Sequence, residues 1–204
     1  MRPTYRSMAR AKRRGWRGAL ATGSPMSASF DRFPFIRLEA LPAEVLADLA
    51  AGRQPASLGR RCEEGALPPP EVASRALRLL ASGVAERWSL PYAMIDERGA
   101  IVGACGFKGA PCLGLVEIGY GVAPLRRGRG IAAAAVRLLL EEAVIRGGAR
   151  RVLARINPDN AASSRVADKL GFVRGEVALD DDGEPLAQWL WPPSTDFAHD
   201  GEAP

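Results

Sequence analysis

The sequence predicts an α+β fold: a mixed, mostly antiparallel sheet with helices on both faces. Three observations lead to it. Strand patterns over Leu90–Ile95, Ala100–Phe107 and Val116–Val122 follow one another across short turns, which implies an antiparallel meander. The third strand is followed by a helical pattern and then by a strand at Arg151–Ile156, an order that favours parallel pairing of the two strands. Helical stripes also precede the meander and follow Ile156, which supplies helices for both faces.

Taken in order, Phe33–Glu39 alternates apolar and polar and reads as a first strand. Pro42 opens a short helix with Val45, Leu46 and Leu49 on its apolar side. Gly52 to Pro70 is a loop rich in glycine, proline and charge; it reads either as a wall of a binding site or as a solvated connector. Glu71–Ala85 reads as a second helix, with Val72, Ala76, Leu79, Leu80 and Val84 in its stripe. Asp96–Gly99 is a hairpin turn, and Lys108–Gly114 is the next turn. In the strand at 116–122, Val116, Ile118, Tyr120 and Val122 share one face, leaving Glu117, Gly119 and Gly121 on the other. Ile131, Ala134, Ala135, Leu138 and Leu139 form the stripe of a helix stopped by Gly147-Gly148. Asn160 caps a helix that runs to Leu170 and ends at Gly171. Phe172–Val177 and Leu186–Trp191 form a last strand pair around Asp180–Gly183; a solvated turn explains that triple aspartate better than a cation site, which needs further ligands.

A chain of 204 residues, 47% hydrophobic and 25% charged, suits one domain, placed here at residues 30–192. No apolar run is long enough for a transmembrane helix, so a membrane role is not expected. The formal charge of +5 conceals an asymmetry: residues 1–29 hold seven cations and no acid, which leaves −2 for the rest. A mildly acidic body argues against a nucleic-acid surface. The basic segment reads as a targeting signal, a nucleic-acid arm, or else a flexible extension or translated sequence upstream of a start at Met26, and the last is favoured because no clear amphipathic period is present. Residues 193–204 read as a disordered tail. His199, the one histidine, lies in it, so a histidine triad or histidine-ligated metal site is excluded, and no metal is expected. Cys62, Cys105 and Cys112 lack the spacing of a metal site or disulfide framework, which fits a reducing, cytoplasmic setting.

The chemistry is concentrated at the start of the Ile131 helix. A glycine-rich turn opening a helix presents unpaired N–H groups and a partial positive charge, which suits phosphate. Arg126, Arg127 and Arg129 add charge around the turn. A basic surface turn whose glycines serve only backbone geometry is the competing reading. The Gly-Lys-Ser/Thr ending of a P-loop is absent. A dinucleotide fingerprint is weakened by the lack of a carboxylate around residues 148–158.

Arg127-Gly128-Arg129-Gly130-Ile131-Ala132 resembles the Arg/Gln-x-x-Gly-x-Gly/Ala signature of the GNAT superfamily of N-acetyltransferases, and Asn157 to Ser163 followed by Asp168 to Phe172 resembles its second half-site. The resemblance covers about residues 32 to 192 and is greatest to the branch that includes the ribosomal-protein N-terminal acetyltransferases. It implies a central parallel strand pair that splays, acetyl-CoA as co-substrate, and a primary amine, from a small molecule or a protein N-terminus, as acceptor. It places the diphosphate on the N–H groups of Arg127, Gly128, Arg129, Gly130, Ile131 and Ala132, and the pantetheine arm beside Val122 with Asn157 and Asn160 in reach. Glu117 is the expected base, through a water, or else a structural carboxylate paired with an arginine. Ser163 is the expected acid, or else a plain first-turn residue. Tyrosine, the acid of many relatives, is missing from residues 160–171, and Tyr120 is given no role because it lies on the face opposite Glu117. A homodimer is compatible with the family. The other function classes are a non-catalytic acyl-CoA-binding module and a nucleic-acid-binding protein guided by the basic segment.

Overall fold

A computed structural model describes residues 33–56, 58 and 61–191; the readings of residues 1–29 and 193–204 lie outside the described residues. Seven strands form one sheet in the order β1-β2-β3-β4-β5-β7-β6: β1 Ile36–Ala40, β2 Tyr92–Asp96, β3 Ile101–Phe107, β4 Leu115–Val122, β5 Arg151–Ile156, β6 Val173–Leu179 and β7 Pro185–Trp191. β4 and β5 run parallel, and the other neighbours pair antiparallel. Among the described residues no helix is long and apolar enough to cross a membrane.

Two apolar layers sandwich the sheet. On one side α1 (Ala43–Ala50) and α2 (Pro70–Ala81) cover Ala93, Ile95 and Ile101 with Val45, Leu46, Ala73 and Ala76. On the other, α4 (Ile131–Glu141) and α5 (Ala161–Lys169) cover Val116, Ile118, Val152 and Ala154. α4 is wedged deeply enough that Ala133, Val136 and Leu140 are buried beside the expected stripe, whereas Ala132 is only half-buried. β3 is buried along its whole length, as its continuous apolar run requires.

Three boundaries differ from the sequence reading. The helix expected over 71–85 stops at Ala81. Gly83, in the left-handed region (φ 80°), donates to the Leu80 carbonyl, and Val84 donates to that of Leu79. This paired closure ends a helix. The chain then makes a short α3, Glu86–Ser89, whose Trp88 ring meets Phe107 edge-on at 4.7 Å. β1 begins at Ile36 rather than Phe33, and Phe35 is 64% exposed, so the alternation counted from Phe33 was out of phase with the buried face. The helix expected to reach Gly147 does so, but Glu142–Arg146 is wound as a π-turn. At the last hairpin, Asp180 accepts the N–H groups of Asp182 and Glu184, so that carboxylate serves the turn.

One ion cluster ties the molecule's working loops together. Arg126 Nη2 donates to Asp96 Oδ2 at 2.5 Å, and its Nη1 donates to Glu63 Oε1 at 3.2 Å. Asp96 is 6% exposed, and its second oxygen accepts the N–H groups of Arg98 and Ala100. Burial alone raises a carboxyl's pKa, but here the Arg126 guanidinium and the two backbone donors outweigh it and hold Asp96 below its ordinary value. A carboxyl depressed by folding contributes stability above its unfolded pKa, and that contribution is lost as pH falls through the folded value. Acid unfolding is therefore expected to weaken this cluster below about pH 4. Asp96→Asn at neutral pH should cost about 3 kcal/mol, the low end for breaking a buried pair, since Glu63 remains on Arg126. That corresponds to a fall of roughly 6–12 °C in a thermal melt, with less acid sensitivity remaining in the variant.

Candidate active site

The parallel pairing of β4 with β5 runs only from Leu115–Arg151 to Ile118–Ala154. β4 continues to Val122 and β5 to Ile156, so the two strands diverge. Lys108 donates to the Glu117 carbonyl and Ala123 to that of Val102, which shows that odd-numbered residues of β4 face β3. By alternation, the N–H and C=O of Tyr120 and the N–H of Val122 face the open gap. The carbonyl of Val122 accepts Arg127 Nε at 3.0 Å.

Two cavities meet at this gap. The first, about 410 Å³, lies between β4, the start of α4 and α5; Gly130, Ala132, Asn160, Ser163, Arg165 and Lys169 line it. Gly128 and Gly130 both have left-handed backbones (φ 74° and 78°), and Gly130 caps α4 with no side-chain cap and no acid in the first turn. Those two residues turn the chain into α4, whose first bond is Ala134 N–H to the Gly130 carbonyl, so the N–H groups of Ile131, Ala132 and Ala133 have no partner within the helix. A cluster of uncapped N–H groups at a dipole's positive end fits a diphosphate. Arg126 adds less charge there than the sequence suggests, because Asp96 and Glu63 neutralise it.

The second cavity, about 470 Å³, lies on the α2 side of the sheet, lined by α2, β3 and β4. Its floor is Gly119 and Gly121, and a wall is the segment Gly65–Pro69, the second half of the long loop before α2. A side chain at Gly121 would meet nothing within 4 Å, so the missing Cβ leaves open space. Tyr120, Gly121, Val122 and Arg127 line both cavities.

The expected residues distribute unevenly. Val122, Arg127, Gly128, Gly130, Ile131, Ala132, Asn160 and Ser163 gather on the first cavity, while Arg129 and Asn157 stand outside its lining. The side-chain oxygen Oδ1 of Asn160 caps α5 by accepting the Ser163 N–H, and Oδ1 of Asn157 accepts the Asp159 N–H, so each side-chain amide has its NH₂ left for a ligand. Glu117 lines neither cavity; Oε1 lies 2.5 Å from Lys108 Nζ and Oε2 3.2 Å from Arg155 Nη2. Tyr120, which the sequence gives no role, lies on the strand face opposite that of Glu117. That face is the one the first cavity occupies, and the phenol reaches across the gap to donate to the Ser163 carbonyl at 3.2 Å. Burial pushes its pKa above the ordinary phenol value, so it holds its proton at neutral pH. The sequence signal was available: a tyrosine between two glycines, directly upstream of the phosphate turn.

Comparisons with known proteins agree with this geometry. Over 74 residues, 36% of this chain, it is 36% identical to the N-acetyltransferase YjdG of Bacillus subtilis (strain 168), itself uncharacterized; the match spans 44% of that protein. Among solved structures, the ribosomal-protein-S5-alanine acetyltransferase of Vibrio fischeri superposes with a TM-score of 0.53 at 19% identity, covering 78% of this chain and 92% of that one. An aminoglycoside acetyltransferase in complex with coenzyme A gives 0.55 at 18% identity, covering 76% and 94%. At such identities these two likenesses carry the fold. The family model for the acetyltransferase (GNAT) domain matches residues 37–173, and the chain belongs to that family.

Proposed function

We propose that this chain transfers the acetyl group of acetyl-coenzyme A to a primary amine, with both substrates bound together. The observation that carries the reading is the meeting of two cavities at Tyr120–Val122: a phosphate-suited one on the α4 side and an open one on the α2 side. Acetyl-coenzyme A, when bound, supplies an activated acyl group on a thiol leaving group. Residues 128–133 would hold its diphosphate by their amides, and the gap-facing N–H and C=O of Tyr120 would hold its amide-bearing arm like an added strand. The two exposed thiols, Cys62 and Cys112, are free, which supports a reducing cytoplasm as the setting.

Attack by an amine needs a proton taken from the nucleophile, polarisation of the carbonyl, and a proton for the departing thiolate. The Val122 N–H is the donor at the gap suited to polarise the carbonyl. Glu117 lies on the same strand face as Gly121 but about 13 Å along the strand and outside both cavities, so as base it takes the amine's proton only along a chain of several waters past its partner Lys108, which lines the α2-side cavity. Glu117→Gln is expected to lower kcat about tenfold or more, most at lower pH, with coenzyme affinity unchanged; an unaltered pH–rate profile would remove Glu117 from the mechanism. For the thiolate, two hydroxyls stand on the first cavity, those of Ser163 and Tyr120. We assign the proton to Tyr120, which belongs to the stretch lining both cavities and whose phenol crosses the gap to α5. The reading as a whole is tested by acetyl-CoA turnover against ribosomal-protein N-terminal peptides, polyamines, amino acids and aminoglycosides. Coenzyme binding without transfer to any of them would reduce the chain to a binding module.

A further inference from the structure

We propose that the acceptor amine carries a carboxylate close to its amino group, and that Arg75 of α2 binds it. This rests on the acyl-transfer reading and specifies the occupant of the α2-side cavity. Four charged residues line that cavity: Arg75, Lys108 and Arg127 against the single carboxylate of Glu71. Two of the cations are already engaged, Lys108 by Glu117 at 2.5 Å and Arg127 by the Val122 carbonyl. Arg75 is not: among the described residues its guanidinium makes no hydrogen bond and no ion pair, not even with Glu71 one turn before it on the same helix. Yet it is half-buried, and desolvation pulls its pKa below the ordinary arginine value, with the fields of Glu117 and Glu71 acting against that. A partly desolvated guanidinium keeps a planar fork of donors that matches a carboxylate bidentately.

Geometry places that fork where an acceptor would need it. Ala76, next to Arg75, also lines the cavity, as do Gly119 and Gly121 on the floor below, so α2 spans the space in which an amine approaches the junction. A polycation, such as a polyamine or an aminoglycoside, would set a second positive charge against Arg75. An amine with a nearby carboxylate would complete Arg75. Two sources share that chemistry, a free amino acid and a peptide N-terminus with an early acidic residue. The cavity, at about 470 Å³, is large enough for either.

The test uses matched acceptors with the full chain and acetyl-CoA. One series is L-leucine, L-leucinamide and isopentylamine; the other is alanyl-aspartate amide against alanyl-asparagine amide. In at least one series the carboxylate-bearing member is expected to exceed its uncharged counterpart by about tenfold or more in kcat/KM, as for a charge-assisted hydrogen bond. The leucine series succeeding identifies a free amino acid, and the dipeptide series an acidic N-terminus. Arg75→Gln should bring that ratio below about threefold by raising KM, and Arg75→Lys should restore part of it. The coenzyme Kd, measured by calorimetry, should stay unchanged in both variants, which also shows that they fold. Equal or better use of the amides and isopentylamine, a ratio that survives Arg75→Gln, or no transfer to any carboxylate-bearing amine would overturn the proposal. Transfer confined to neutral or cationic amines would do so while leaving acetyl transfer intact; a chain with no coenzyme affinity would defeat the acyl-transfer reading itself.

Discussion

Ala132→Glu is expected to weaken coenzyme A binding about 100-fold while leaving the fold as stable as before, or slightly more so. Ala132 occupies the second position of α4 and lines the first cavity, half-buried rather than packed. Two effects of a carboxylate there have opposite consequences. For the isolated helix it is favourable, because a negative charge in the first turn meets the positive end of the dipole, worth about 0.3–1 kcal/mol. For a diphosphate it is unfavourable twice over. The carboxylate competes for the N–H groups of residues 128–133, and it repels the ligand. Two unit charges about 5 Å apart, at an effective dielectric of about 20, repel by about 3 kcal/mol, or roughly 100-fold in affinity. Ala132→Gln, of the same size without the charge, should lose no more than about tenfold. Calorimetry with coenzyme A and a thermal melt separate the two effects, since a variant that merely misfolds would lose affinity and melting temperature together. A glutamate variant that binds within about threefold of the wild type would show that the diphosphate does not sit on this helix.

Much of this was legible in the sequence because it depended on local patterns. The glycines at 128 and 130 announce a turn with positive φ, and the stripe from Ile131 announces the buried helix behind it. The even-odd alternation of Val116 to Val122 placed Glu117 and Tyr120 on opposite faces without any structure. What did not follow was which face carries which substrate. That depends on the strands parting after Ile118 and Ala154, while β5 stays paired with β7 as far as Ile156, and where a pairing between distant strands ends is a tertiary fact that no local pattern in β4 states. Arg126 shows the same limit. Sequence proximity to Arg127 and Arg129 counted it as a phosphate charge, whereas its partners come from residues 30 and 63 positions away. Arg75 was invisible for a related reason: the helix stripe singles out its apolar neighbours, and only the packing of α2 over the glycine floor of β4 turns a surface arginine into a lining residue.

Tyr120→Phe is expected to lower kcat about 100-fold, with the KM of the amine and the Kd of coenzyme A nearly unchanged. A positioned proton donor contributes about 10²–10⁴ to rate, and it acts after both substrates are bound. Ser163→Ala offers a contrast that follows from the geometry. The phenol donates to the backbone carbonyl of Ser163, so removing the serine hydroxyl leaves that bond in place. The serine N–H still reaches Asn160, so the start of α5 also keeps its cap. Ser163→Ala should therefore cost less than about threefold if Tyr120 supplies the proton. Tyr120→Phe removes one hydrogen bond, worth about 1 kcal/mol, and the melting temperature should fall by only about 2–4 °C. A 100-fold rate loss cannot come from so small a change in stability, because the folded fraction at assay temperature barely alters. If Ser163→Ala proves the more damaging change, the thiolate takes its proton from the helix rather than the strand. If neither variant slows turnover beyond twofold, water reaches the gap and protonates the thiolate directly, and the placement of Tyr120 between the two cavities serves only to hold β4 against α5.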